Sequence, residues 1–368
     1  MEQVLYQIAA TKIKGIGASS AKALIAYLGG VEQLFTEKLK ALQGVPGIDN
    51  KAFLISEGRQ EALEAAKREL EFVRKNELQV YFYSDKDYPL RLKECNDAPI
   101  LLYAKASCNL NPAKAISIVG TRRCTPYGTD MTQRIVAEIA EFYPDVLIVS
   151  GLAYGVDVVA HRNALKRGLP TLGVLAHGLD NIYPGAHRQT AQKMIAQGGL
   201  LTEFPSQTRP IPENFVRRNR IVAGLSDATI VIESAKRGGS LITANMAWSY
   251  NREVFAVPGK STEAQSQGCN HLIKNQKALM VEGLEDLEYH LGWSRNENKK
   301  RAQQTRLLID MNEDEQKVFD YLQKEGKSHI NPISIVCKLP MSKLSPILIN
   351  MEFNGLLKCS PGNMYELI

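Results

Sequence analysis

Ala115-Ile116-Ser117-Ile118-Val119-Gly120-Thr121-Arg122-Arg123 reads as a short apolar strand that opens through a glycine into a basic loop. In doubly wound folds such a junction begins a phosphate site, because the helix that follows presents unpaired N–H groups to an anion. A dinucleotide site would continue with a second and third glycine, so that the backbone approaches a pyrophosphate. Here an arginine pair stands in their place. The next strand, Val146-Leu147-Ile148-Val149-Ser150-Gly151, closes without the acid that a ribose hydroxyl requires. The loop suits phosphate and does not suit a nicotinamide cofactor, so no cofactor is expected.

Working outward, apolar runs at 146–150, 171–176, 199–204, 228–233 and 253–257 alternate with stretches of helical composition. Near-continuous apolar strands joined by crossover helices predict a doubly wound parallel sheet, buried on both faces, over 113–292. Its ligand belongs beyond the carboxyl ends of the strands. Residues 1–75 read as helical, with two similar turns, Ile13-Lys14-Gly15-Ile16-Gly17 and Leu42-Gln43-Gly44-Val45-Pro46-Gly47-Ile48. These resemble the helix-hairpin-helix (SAM-like) motif, whose N–H groups either hold a DNA phosphate or simply pack. Residues 76–112, with a strand-like Gln79–Tyr83 and breakers at Pro89, Pro99 and Pro112, read as a connector packing on the core. A polar, lysine-rich linker is expected over 293–312. Over 313–368, helices at Glu315–Lys324, Ile333–Lys338 and Met341–Phe353 precede a hairpin around Pro361-Gly362, the order of a winged helix.

The chain has 368 residues, 44% of them apolar, enough for more than one core. Its net charge of +6 permits an anionic partner without demanding one. Six scattered cysteines contain no C-x-x-C pair, so neither zinc spacing nor a disulfide framework is expected. No signal peptide or membrane-spanning run is evident, and a cytoplasmic location is expected.

The unusual residues fall at the predicted strand ends. Gly151-Leu152-Ala153-Tyr154-Gly155-Val156-Asp157 is small enough for close ligand approach, with Asp157 either capping the next helix or belonging to the site. Tyr183, in Tyr183-Pro184-Gly185, either offers a stacking face for a base or tucks its loop against the domain. Arg217-Arg218-Asn219-Arg220 is the most electropositive element. It calls for something anionic, partly met by pairing with Glu203 or Glu233. Gly238-Gly239-Ser240 at a helix start forms an anion nest. Gly259-Lys260-Ser261 imitates the end of a Walker A loop, but Val254 occupies the position of its first glycine.

Taken together and in order, these motifs, with Thr202-Glu203-Phe204-Pro205 and Gly268-Cys269-Asn270-His271, resemble the DNA-processing protein A (Smf) family across the central domain. The resemblance implies an extended Rossmann-like fold for the central domain and a non-enzymatic mediator of recombination in natural transformation. It would bind and protect single-stranded DNA, dimerise and help load the RecA recombinase. Carried over, the DNA pocket comprises Gly120, Thr121, Arg122, Gly151, Ala153, Gly155, Asp157, Arg218, Asn219, Arg220, Gly239 and Ser240. Gly238 replaces a serine common in the family, and Val216 a proline. The terminal segments fit the layout of some members, with a Z-DNA-binding-like winged helix. Its third helix carries only Lys343 as a basic residue, and a protein-contact or accessory role is expected for it. A nucleotide-binding phosphoribohydrolase-like enzyme is the alternative. It needs a carboxylate after the glycine loop, where Ala244-Asn245-Met246-Ala247 stands.

Overall fold

The computed structural model describes residues 2–45, 48, 51–295 and 311–367. Helices α1 (Glu2–Ala10), α2 (Ala18–Leu28), α3 (Gln33–Thr36), α4 (Leu39–Gln43) and the long α5 (Ala52–Lys75) come first. A sheet segment follows: β1 (Gln79–Phe82), α6 (Leu90–Lys93) and β2 (Leu101–Ala106). The central run is β3 (Ala115–Val119), α7 (Pro126–Phe142), β4 (Leu147–Ser150), α8 (Val156–Lys166), β5 (Thr171–Val174), α9 (Arg188–Gln197) and β6 (Gly199–Thr202). It continues through α10 (Pro212–Gly224), β7 (Ala228–Val231), α11 (Ser240–Ser249), β8 (Glu253–Ala256), α12 (Gln267–Lys274), β9 (Leu279–Met280) and α13 (Leu284–Leu291).

The nine strands form one sheet in the order β1-β2-β6-β5-β4-β3-β7-β8-β9, parallel from β6 to β9. Ile116 and Ile118 point to one face, with Ile135 and Ile139 of α7, Ala160 of α8 and Leu287 of α13. Ala115 and Val119 point to the other, with Ile221 and Val222 of α10, Ala244 of α11 and Leu272 of α12. That double burial is why these strands read as continuous apolar runs. Buried Ser117 breaks the run. Its hydroxyl meets Val222 O at 2.6 Å and Ser226 Oγ at 2.7 Å, tying α10 to the sheet centre.

The chain moves outward from β3 to β6 on one side, then crosses to β7 on the other. The loops after β3 and β7 therefore part at the order reversal, and a crevice opens between them.

The connector is part of the sheet. Residues 79–106 supply two antiparallel strands, β2 pairing with β6 and β1 with β2. Strand β1 is the strand-like Gln79–Tyr83 of the sequence reading, whereas β2 lies between Pro99 and Pro112, which masked it. Phe82, Leu101 and Tyr103 of these strands share a core with Ile8, Leu24, Leu34 and Ile55 of the preceding helices. Arg91 of α6 locks the far end, its guanidinium meeting the Asp227 carboxylate at 2.7 and 3.0 Å.

The first glycine turn, before α2, faces inward. Ile16, Gly17 and Ser19 line a cavity of about 450 Å³ whose other wall carries Phe204 and Arg217. In the second turn Pro46 and Gly47 lie outside the described residues, as do 296–310 of the expected linker. Trp293 and Arg295, at that linker's start, pack on α7 against Tyr143 and Phe142.

Beyond it are α14 (Glu313–Glu325), β10 (Ser328–His329), α15 (Ile330–Cys337), α16 (Met341–Phe353), β11 (Leu357–Ser360) and β12 (Met364–Leu367). Strands β10, β12 and β11 form a small antiparallel sheet over Val318, Ile333, Leu344 and Leu348. Among the described residues no single helix is long and apolar enough to cross a membrane.

Candidate nucleic-acid interface

The crevice at the order reversal is a cavity of about 470 Å³, walled by the loops after β3, β4 and β7 and by the first turns of α10. Gly120 ends β3 where a Cβ would overlap the Val156 side chain and come within 3.1 Å of Glu233 O. Only glycine lets α8 and the β7 exit close on the strand end. Thr121 N donates to Glu233 O at 2.8 Å, and Thr121 Oγ1 accepts from Arg123 N at 3.1 Å. The loop is thereby wound tight, and Arg122 projects from it. Its guanidinium is exposed, lies 5.1 Å above the Phe215 ring and forms no ion pair among the described residues.

Arg218 has the opposite character. It is 4% exposed and donates to Gly151 O at 2.6 Å, to Val174 O and to Asn219 Oδ1 at 3.3 Å. Burial, and secondarily the charge of Arg122, lower its pKa to about 10 while Asp157 opposes the shift, so it stays protonated at neutral pH. Gly151 is glycine because any side chain would overlap this guanidinium. Asn219 turns its side-chain carbonyl to Arg218 and also lines the cavity.

Asp157 does not cap α8; Gly155 occupies that position. The carboxylate reaches back from the first turn and accepts Gly151 N–H at 3.2 Å and Ala153 N–H at 3.3 Å, fixing the loop that precedes the helix. Burial raises its pKa against the pull of Arg218. Gly155 is not in the cavity wall. It has a φ of 73°, and a Cβ there would overlap Thr121 O.

The loop after β7 delivers the nest. Gly238, Gly239 and Ser240 line the cavity at the start of α11. That helix has no side-chain cap and no acid in its first turn. Ser240 is 7% exposed, and its Oγ has no hydrogen-bond partner among the described residues. A buried, unsatisfied hydroxyl at a helix N-terminus is a donor in want of an acceptor.

Arg220 departs from the sequence reading, which placed it in the pocket. It is buried on the other side of α10, bonded to Glu203 Oε2 at 2.6 Å and Asp97 O at 2.5 Å. Arg217 joins the same carboxylate at 2.7 Å. Residues three apart share a helix face, so both arginines turn to Glu203 and away from the crevice. Glu233, the other acid considered, instead accepts from Thr125 N and Oγ1.

Further residues belong to or support this surface. Phe215 and Tyr183 line the cavity with ring centroids 5.9 Å apart. His177 holds the Tyr183 loop, its Nδ1 2.8 Å from Gly178 O and its Nε2 accepting from Tyr183 N at 3.3 Å. Phe215 lies three and four residues before Arg218 and Asn219, a helical spacing that identifies it in retrospect. Lys236 and Arg237 are exposed beside the nest. The Gly259-Lys260-Ser261 segment holds no phosphate cradle: Asn270 clamps Gly259 through its N–H and carbonyl at 3.2 and 2.8 Å.

Among the described residues no cluster of three His, Cys, Asp or Glu could hold a metal ion, and the six cysteines are unpaired. The surface can thus neutralise phosphate, donate to it and stack planar groups.

Residues 79–292 match the family model described as DNA recombination-mediator protein A, a span that begins at β1. A putative DNA processing protein DprA of Mycobacterium tuberculosis is 34% identical over 277 residues, 74% of this chain and 70% of that protein. DNA processing protein DprA of Bacillus subtilis is 40% identical over 205 residues, 55% of this chain and 68% of that protein. The X-ray structure of DNA processing protein A from Streptococcus pneumoniae superposes with a TM-score of 0.69 at 30% identity, covering 77% of this chain and 97% of that one. DNA processing protein A from Helicobacter pylori, whose structure is described as revealing a single-stranded DNA binding mode, gives 0.52 at 29% identity over 57% of this chain and 93% of that one. With its crevice at the order reversal and its motifs in place, the chain belongs to the DNA recombination-mediator protein A family.

Proposed function

We propose that this protein binds single-stranded DNA in the crevice between the β3 and β7 loops, and that it acts in the cytoplasm as a homodimeric recombination mediator. It would protect incoming strands and help load the RecA recombinase during natural transformation. The observation that carries the binding reading is the pairing of Arg122, exposed and without a counter-ion, with the uncapped α11 start and the unsatisfied Ser240 Oγ. Both look for an anion. The Phe215 and Tyr183 rings beside them supply faces for unpaired bases, which a duplex keeps stacked inside. The single-stranded DNA binding described for the Helicobacter pylori relative agrees with this reading.

Gly120, Thr121, Arg122, Gly151, Ala153, Asn219, Gly239 and Ser240 form the contacting set. Arg218 and Asp157 serve as its frame. Asp157 is the carboxylate in the cavity wall, and its engagement with two loop N–H groups favours a binding role over base or nucleotide cleavage. The helical N-terminal segment and the winged-helix C-terminal segment are assigned accessory roles.

The test is binding of one labelled oligonucleotide, single-stranded and as duplex, by the full chain across a salt series. Tighter single-strand binding is expected, with log affinity falling roughly one unit per log salt for each phosphate contact. Equal affinity for duplex, or base release from a nucleotide, would overturn the assignment. Acceleration of RecA filament formation on coated single strands tests the mediator role.

A further inference from the structure

The wall of the crevice is held partly by a helix, α5, that does not line it. After β6 the chain runs Phe204-Pro205-Ser206-Gln207-Thr208 and then Pro210-Ile211-Pro212, and both Pro210 and Pro212 line the cavity before α10 begins. Ser206 is held from outside. Glu69, in the second turn from the end of α5 and only 5% exposed, accepts from Ser206 N at 2.8 Å and from Ser206 Oγ at 2.9 Å. Lys12 of the N-terminal helices lies 3.5 Å from the same carboxylate.

On its other side the segment is held by the Tyr183 loop. Gln207, at a φ of 62°, donates its N–H to Asp180 Oδ1 at 3.0 Å, and Gly178 N donates to Thr208 O at 3.3 Å. Gly178 must be glycine here, since a Cβ would press to 2.5 Å from Pro205 O and 2.8 Å from Ser206 Cα. Leu179, in that loop, packs on the core of the N-terminal helices. The two loops that carry Tyr183 and Pro210–Pro212 to the crevice therefore meet at Ser206, and α5 closes the junction.

We infer that Glu69 is a positioning residue: it latches the N-terminal helices to Ser206 and so sets the aromatic and proline wall of the crevice. This rests on the reading of the crevice as a single-strand site. A charge-assisted acceptor for two donors is strong where water is excluded, and its loss frees the segment on both sides.

The experiment compares Glu69→Ala, Glu69→Gln and Ser206→Ala with the unaltered full chain. Hydrogen exchange over 177–183 and 204–212 is measured without DNA, and binding of a labelled oligothymidylate is measured across a salt series. Glu69→Ala should speed exchange in both segments and weaken binding about threefold to tenfold. The salt slope should stay unchanged, because the phosphate contacts remain. Glu69→Gln keeps one acceptor oxygen and should recover part of the loss. If Glu69→Ala does not fold, Ser206→Ala, which removes only the hydroxyl bond, should show the same pattern at smaller amplitude. Unchanged exchange and affinity, or faster exchange with affinity intact, would overturn the inference. Should the unaltered chain fail to bind the oligonucleotide, the reading of the crevice falls, and the exchange response alone still decides the latch.

Discussion

Helix α10 carries arginines on two sides, and the two sides behave differently. Towards the crevice, Arg218 is consumed by backbone carbonyls and acts as a strut, while the anion-seeking charge comes from Arg122 on another element. Towards the N-terminal helices, Arg217 and Arg220 share Glu203, and that side is neutralised within the fold. The lesson is that a run of basic residues does not make a basic surface. What matters is which guanidinium is left without a partner, and in this crevice it is the one from the β3 loop.

The largest expected effect lies on the crevice side. Arg218→Ala strands the buried carbonyls of Gly151 and Val174, at about 1–3 kcal/mol for each group left without a donor. Urea denaturation should show a loss of that order, and a stability unchanged from the parent would show that Arg218 is no strut.

Behind Arg218 lies His161, fully buried with Nδ1 2.7 Å from Thr171 Oγ1. Burial first, then the charges of Arg218 and His187, lower its pKa from 6.5 to about 3. The unfolded chain therefore takes up a proton below pH 6.5 that the folded chain refuses until about pH 3. Stability from this residue is complete above pH 6.5 and is lost as pH falls through that window, about 2 kcal/mol by pH 5. Denaturation midpoints at pH 7 and pH 5 should differ by less in His161→Gln than in the parent.

Arg122→Glu should weaken single-strand binding at least about tenfold at low salt and lower the salt slope by roughly one. Its unfolding free energy should stay within about 0.5 kcal/mol of the parent, because the side chain is exposed and unpaired. Smallest of all is Arg217→Ala, on the neutralised side. That side chain is 59% exposed, and Arg220 still holds Glu203, so a stability change of about 0–1 kcal/mol is expected. Single-strand affinity should be unchanged; a loss equal to that of Arg122→Glu would erase the distinction between the sides.

The sheet was legible from β3 to β8 because strands buried on both faces show as near-continuous apolar runs, here 115–119, 146–150 and 228–233. Strand β1 was legible as the strand-like Gln79–Tyr83, but β2 was not, since Leu101–Ala106 lies close behind Pro99 and pairs with β6, almost a hundred residues away. A fragment cut at 113 would leave the β6 edge bare and separate Arg91 from Asp227. The Gly120 loop, the 151–155 loop and the 238–240 loop were legible as glycine-rich strand ends, and each supplies residues to the crevice wall. The function of Asp157 was not, because its acceptance of Gly151 and Ala153 N–H depends on how the loop folds back over the helix start.

By itself the sequence determined the doubly wound sheet and the glycine-rich loops at its strand ends. These follow from local periodicity and from glycines whose spacing is fixed along the chain. Only the tertiary structure decided which arginine meets solvent, that Phe215 and Tyr183 converge, and that Glu69 reaches Ser206. Those outcomes depend on helix phase and on partners far away in sequence, and a charge acquires its role only when its counter-ion is known.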